Sequence, residues 1–269
     1  MADDVIFERN QQIGLITLNR PGALNALTLP MIQAIYQQLS VWQADDTIAA
    51  VVLRAMPGKA FCAGGDIRWL YEAGIANNPE QMDFFKHEYR LNHLIYHYQK
   101  PYVALMDGIT MGGGVGISLH GSHPVATERF LFAMPETSIG FFPDIGASYL
   151  LSRCSNAIGI YLGLTGSRLN QGESVSAGLI KHTIASQHIE ELLDELQNTD
   201  LAHQAHDKID KILEHFTAYC HVDNSFKNTH YISHVFSVDT IEEIFSRLEA
   251  NNSSWHQETL AALQSKAPL

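Results

Sequence analysis

Short β-rich runs alternate with helical stripes through roughly the first 150 residues, and from Ala157 onward helical patterns dominate. A chain built this way is expected to fold as an α/β core followed by a helical C-terminal part. Residues 5–18 alternate in polarity, contain Ile13-Gly14-Leu15-Ile16-Thr17-Leu18 and stop at Arg20-Pro21-Gly22, which reads as a hairpin of two strands. Thr28 then precedes Leu29-Pro30 and the stripe Met31, Ile35 and Leu39, the cap, early proline and spacing of a helix. Further strands are predicted at 48–53, 101–106, 125–126 and 130–133. Helices are predicted at 67–73, 81–98, 115–119, 189–196, 201–216 and 241–248. The organisation expected is a core over residues 1–200 and a helical region over 201–269.

A chain of 269 residues buries enough surface to fold without disulfide or metal support. Its three cysteines, Cys62, Cys154 and Cys220, have neither a CxxC spacing nor an even count, so a reducing compartment is expected. The acidic start Met1-Ala2-Asp3-Asp4 lacks the basic character of a targeting peptide, which makes the cytoplasm the expected location. A formal net charge of −12 at pH 7 excludes broad binding to nucleic acid or anionic membrane, both of which need dense basic patches. Fourteen histidines are scattered, and the pairs His93/His97 and His203/His206 have no partnered third ligand nearby, so no metal site is expected.

The chemistry concentrates in three stretches: Ala63-Gly64-Gly65-Asp66, Met111-Gly112-Gly113-Gly114, and the acidic run from Met134-Pro135-Glu136 to Asp144. Glycine lets a ligand approach the main chain closely, so each glycine loop can present a backbone N–H to a ligand carbonyl. The second loop leads into the helix predicted at 115–119, whose N-terminal end favours developing negative charge. Neither loop fits GxGxxG, and GxxxxGK[ST] and GxSxG are absent, which argues against dinucleotide, P-loop and serine-hydrolase chemistry. Glu136 and Asp144 are separated by Gly140 and Pro143, so the loop can fold back and point both carboxylates into one pocket. Two N–H donors facing one oxygen beside two carboxylates describe acyl chemistry.

Three segments, in order, resemble the signatures of the crotonase (enoyl-CoA hydratase/isomerase) superfamily over nearly the whole chain: Ala60-Phe61-Cys62-Ala63-Gly64-Gly65-Asp66-Ile67, Gly108-Ile109-Thr110-Met111-Gly112-Gly113-Gly114-Val115-Gly116, and Met134-Pro135-Glu136-Thr137-Ser138-Ile139-Gly140-Phe141-Phe142-Pro143-Asp144-Ile145-Gly146. Within it the chain is most similar to the 3-hydroxyisobutyryl-CoA hydrolase family. The resemblance implies a spiral of ββα units and a coenzyme A thioester substrate. It also implies an oxyanion hole from the N–H groups of Gly65 and Gly113. Hydratases of the superfamily carry a glutamate where this chain has Gly116, and a glycine where it has Asp144. Gly116 has no proton to exchange, which disfavours hydration on chemical grounds as well.

The implied roles follow residue by residue. Glu136 attacks the thioester carbonyl, either directly to form an anhydride or by activating water. Asp144 orients the substrate hydroxyl or the hydrolytic water. Glu88, three residues before Leu91 on an apolar helical stripe, contacts the acyl group; its alternative is a partly exposed carboxylate paired with Arg90 or a lysine. Coenzyme A is expected against residues 63–67, namely Ala63, Gly64, Gly65, Asp66 and Ile67, with Leu24 in the entry loop and Arg20, Lys59 or Arg68 at the phosphates. Cys62 reads as a packing residue rather than a nucleophile. No cofactor is expected beyond the coenzyme A of the substrate. The family also implies possible homo-oligomers and a chain continuing past an Ala-Pro-Leu segment like Ala267-Pro268-Leu269. The function expected is hydrolysis of a short 3-hydroxyacyl-CoA, with an enoyl-CoA hydratase/isomerase or a non-catalytic acyl-CoA-binding protein as alternatives.

Overall fold

The computed structural model describes residues 4–217, 226 and 228–267. Residues 1–3, Cys220 and residues 268–269, on which parts of the sequence reading rested, lie outside them.

Among the described residues, ten strands form two sheets. In chain order they are β1 (Val5–Asn10), β2 (Ile13–Leu18), β3 (Ala50–Ala55), β4 (Ala60–Cys62), β5 (Tyr102–Met106), β6 (Ile109–Met111), β7 (His123–Ala126), β8 (Leu131–Ala133), β9 (Leu169–Asn170) and β10 (His182–Thr183). The larger sheet runs β1-β2-β3-β5-β7-β10 and the smaller β4-β6-β8-β9. The expected hairpin is present, with Val5 opposite Leu18 and Asn10 opposite Ile13. From β2 onward the larger sheet is parallel, with Ile13 beside Ala50, Val51 beside Tyr102 and Val103 beside His123. Its central strands read as continuous apolar runs because both faces are covered.

The helices are α1 (Leu29–Ala44), α2 (Ile67–Ile75), α3 (Glu80–Tyr96), α4 (Gly113–Gly116), α5 (Ala147–Leu151), α6 (Ile158–Thr165), α7 (Gln171–Ser176), α8 (Ile189–Asn198), α9 (Ala205–Thr217), α10 (Thr229–Phe236), α11 (Ile241–Glu249) and α12 (Ser254–Gln264). Thr28 caps α1 by accepting from the Met31 N–H, and the helix buries Met31, Ile32, Ile35, Leu39 and Trp42, each worth about 1.5–3 kcal/mol. Helices α8 and α9 bury Leu192, Leu193, Leu196, Ile209, Ile212 and Leu213 in one cluster with Ile13, Leu15, Val52, Val103 and Val125 of the larger sheet. The opposite face, with Ile16, Val51, Leu53 and Ala104, packs in the main cluster with α1 and α3.

One unit recurs three times: a strand of the larger sheet, a strand of the smaller sheet, then a helix. It appears as β3-β4-α2, β5-β6-α4 and β7-β8-α5. This is the spiral of ββα units expected from the sequence. The strands expected at 125–126 and 130–133 are β7 and β8, and they belong to different sheets. In the smaller sheet β4, β6 and β8 are parallel neighbours, with Cys62 beside Thr110 and Met111 beside Ala133.

Candidate active site

The three chemically informative stretches leave the carboxyl ends of β4, β6 and β8, the edge where ligands bind in open α/β sheets. Adjacent parallel strands thus set side by side three loops that are far apart in the sequence. Gly64 (φ +108°) and Gly112 (φ +48°) adopt left-handed backbone that favours glycine, so both loops turn sharply. The loops touch: a Cβ at Gly64 would lie 3.5 Å from Gly113 N, and one at Gly113 would lie 3.4 Å from Gly65 N. Helix α4 is a single turn that starts at Gly113, two residues before the helix predicted at 115–119. A single turn has little macrodipole, so the individual N–H groups, not a helix end, are the resource here.

Most donors of the first loop are already engaged. The N–H of Ala63 goes to Leu24 O, that of Asp66 to Leu27 O and that of Ile67 to Gly65 O. Among the described residues, the N–H groups of Gly64, Gly65, Gly113 and Gly114 meet no protein acceptor. Gly65 and Gly113 are the two donors that the family resemblance implies.

Between the loops, α3 and the 135–144 segment lies a cavity of about 740 Å³. Its walls include Ala63, Gly64, Gly65, Ile67, Arg68, Glu88, Gly113, Glu136 and Asp144, all predicted site residues. Phe84, Phe85 and Phe141 add an aromatic side, with Phe85 5.6 Å from both Phe84 and Phe141 between ring centroids. Four predicted residues, Leu24, Asp66, Arg20 and Lys59, are not in its wall. Asp66 turns its carboxylate to Arg20 Nη2 at 2.8 Å and caps α2 through the Trp69 N–H at 3.1 Å. Leu24 ends a 3-10 turn at φ +52° and holds the first loop from behind through its carbonyl. The Asp66 contact also ties down Arg20, whereas Arg68 stays at the cavity wall with Glu72 beside it, 3.3 Å away.

Three carboxylates converge. Glu136 begins the 3-10 turn Glu136–Ile139 and is 8% exposed; Oε1 lies 3.0 Å from where a Gly112 Cβ would stand, and Oε2 has no partner among the described residues. Burial, with the Asp144 charge added, pushes its pKa up to about 7. Glu88 is 3% exposed, buried on α3 rather than paired with Arg90, and Oε1 has no partner. Burial first, then the charges of Asp144 and Glu136, push it up to about 8. Asp144 is half-buried and accepts a 2.7 Å hydrogen bond from the Tyr89 hydroxyl; burial raises its pKa while that bond opposes the rise. Cys62 is fully buried and its thiol is pushed up to about 12 by desolvation, so it stays an inert packing group.

Gly116 faces Asn92 of α3: a Cβ there would lie 2.9 Å from both Oδ1 and Nδ2. Asn92 and Tyr89 were not anticipated. Tyr89 follows Glu88 directly, the only local signal for it, and Asn92 had none. Among the described residues, no group of three or more His, Cys, Asp or Glu side chains is placed to hold a metal, and no helix is long and apolar enough to cross a membrane.

Comparison with known proteins adds the family. The family described as enoyl-CoA hydratase/isomerase matches residues 13–269. Similar chains include the 3-hydroxyisobutyryl-CoA hydrolase, mitochondrial, of Danio rerio, 45% identical over 97% of this chain and 70% of the relative. The protein of that name from Homo sapiens is 43% identical over 99% and 70%. Among solved structures, a carnitinyl-CoA dehydratase from Mycobacterium thermoresistibile superposes with a TM-score of 0.90 at 33% identity, over 99% of this chain and 76% of that one. An enoyl-CoA hydratase from Rhodobacter sphaeroides gives 0.86 at 36%, over 99% and 75%. The relatives correct the cytoplasmic expectation, because they are mitochondrial by name and point to mitochondria. Free cysteines fit any reducing compartment and never distinguished the two.

Proposed function

The chain belongs to the enoyl-CoA hydratase/isomerase family, and from that premise we propose that it is a thioesterase that hydrolyses a short 3-hydroxyacyl-CoA, with 3-hydroxyisobutyryl-CoA of valine breakdown as the substrate. The observation that carries this reading is the meeting of two unengaged backbone donors, Gly65 and Gly113, with the buried carboxylates of Glu136, Asp144 and Glu88, while position 116 holds no acid. Curated relatives at 43–45% identity bear the hydrolase name.

In this reading the thioester oxygen sits between the N–H groups of Gly65 and Gly113, each worth about 3 kcal/mol as negative charge develops on it. Glu136, whose pKa of about 7 leaves it largely ionised in mildly alkaline solution, attacks the carbonyl carbon or takes a proton from the attacking water. The tetrahedral adduct collapses, the C–S bond breaks and the coenzyme A thiolate leaves and is protonated. By the anhydride route, water then cleaves the acyl-Glu136 bond, and both routes yield one acid and one thiol per water. Asp144, held by Tyr89, orients the water or the substrate hydroxyl. Glu88, protonated at neutral pH, donates a hydrogen bond to the acyl portion. Gly64 and Gly65 receive the pantetheine, Arg68 meets the phosphates at the mouth, and no further cofactor takes part.

A hydratase reading draws on the two structural neighbours, a carnitinyl-CoA dehydratase and an enoyl-CoA hydratase by name. Against it stands Gly116, where an amide that neither gives nor takes a proton fills the adjoining space. The test is thiol release from 3-hydroxyisobutyryl-CoA run beside loss of enoyl absorbance from crotonyl-CoA. Thiol release alone supports the hydrolase; enoyl loss without thiol favours the hydratase.

A further inference from the structure

Helix α3 meets the single turn α4 with two polar side chains one turn apart, Glu88 and Asn92, 3% and 6% exposed. The positions of α4 opposite them are glycines. A Cβ at Gly113 would run into Glu88 Oε1, and one at Gly116 would crowd both amide atoms of Asn92. Three buried atoms line this seam without a hydrogen-bond partner among the described residues: Glu88 Oε1, Asn92 Oδ1 and Asn92 Nδ2. A polar atom left dry in an interior is destabilising.

The seam lies between two cavities. Glu88 belongs to the wall of the 740 Å³ cavity with Glu136 and Asp144. Asn92 belongs to a second one of about 310 Å³, walled also by Tyr96, His120, Gly146 and Tyr149. Tyr89 stands in the wall of the smaller cavity while its hydroxyl holds Asp144 in the larger. The smaller cavity has room for several waters, and the Asn92 amide offers a donor and an acceptor, the pairing that orders water in an interior.

We propose that Asn92 holds the hydrolytic water on its way to the carboxylates, passing it along the glycine-backed seam from the smaller cavity to Glu88, Glu136 and Asp144. The inference rests on the hydrolase reading above, because hydrolysis consumes one water per thioester while the acyl-CoA itself fills the larger cavity. Water entering behind the acyl group needs no opening of the mouth. A hydroxyl or amide at position 92 serves, since either can hold water; an apolar side chain of the same size blocks the path without altering what coenzyme A touches.

The experiment compares wild type, Asn92→Leu and Asn92→Ser for thiol release from 3-hydroxyisobutyryl-CoA, with urea unfolding of each. The expected result is a kcat lower by about tenfold or more in Asn92→Leu, KM within about twofold of wild type, and undiminished stability. Asn92→Ser keeps kcat within about threefold, because the smaller polar side chain leaves space for a further water. Unchanged kcat in Asn92→Leu, equal losses in both variants, or a loss accompanied by a higher KM and lower stability would each overturn the inference. Absence of thiol release from the wild-type protein would instead overturn the hydrolase reading on which it rests.

Discussion

Replacing Glu88 by glutamine isolates the cost of burying one carboxylate at the site. The side chain is 3% exposed, and its pKa rises from an ordinary 4.5 to about 8. Between those values the native protein holds a proton that the unfolded chain has released. The stability contributed by Glu88 is therefore complete below pH 4.5 and is lost as pH rises through 8. One proton corresponds to about 1.4 kcal/mol per pH unit, with the slope flattening near the native pKa, so wild type loses about 2 kcal/mol from this residue between pH 6 and pH 8. Glutamine keeps the shape and carries no charge at any of these values. Urea unfolding followed by circular dichroism at half-unit steps should show Glu88→Gln gaining on wild type by about 2 kcal/mol across that interval and running parallel above it. A difference constant from pH 6 to pH 8 would refute the reasoning, since Glu88 would then be ionised in the native state throughout.

Three further outcomes follow from the same geometry. The rising limb of kcat/KM for thiol release should have a midpoint near pH 7, because Glu136 acts ionised and burial has raised it to about 7; a midpoint near 4.5 would contradict that role. Gly113→Ala places a Cβ against Glu88 Oε1 and displaces one of the two donors proposed for the thioester oxygen, so kcat should fall by about 100-fold or more, measured by thiol release with folding checked by circular dichroism. His123, 2% exposed at the β7 to α9 contact, is held down to about 4 by burial. Its contribution is present above pH 6.5 and lost as pH falls through 4, so His123→Gln should remove about 3 kcal/mol of the acid-side loss of stability in urea titrations.

The chemistry was more legible in the sequence than the architecture that assembles it. The glycines at 65 and 113 and the acids at 136 and 144 stand out because their types are uncommon together, and local turns betray each loop. What brings them together is three neighbouring three-residue strands, β4, β6 and β8. The first two are too short for any periodicity to declare them, so the adjacency of the loops was invisible. The helix after the second loop was placed two residues late because three glycines look like a turn, whereas Gly113 and Gly114 are already helical. Glu88 was ambiguous because a glutamate on an amphipathic helix is equally well read as exposed; only α4, with no side chain at Gly113, makes space to bury it. Asn92 had no signal for the same reason, as its partner position is Gly116. Leu24 was assigned to the ligand as part of the entry loop and Asp66 as part of the first glycine loop, but their groups hold that loop together. The meeting of His123 and His182 with Asp210, and of His206 stacked on His123, depends on the β7 to β10 pairing and on where α9 docks, neither of which residue spacing reveals.

The most direct measurement is thiol release from 3-hydroxyisobutyryl-CoA by Glu136→Gln beside wild type. Loss by about a thousandfold with unchanged urea stability is the result predicted for a carboxylate that attacks the thioester or activates its water. Release at the wild-type rate would contradict the account, since no chemistry assigned to this site proceeds without that carboxylate.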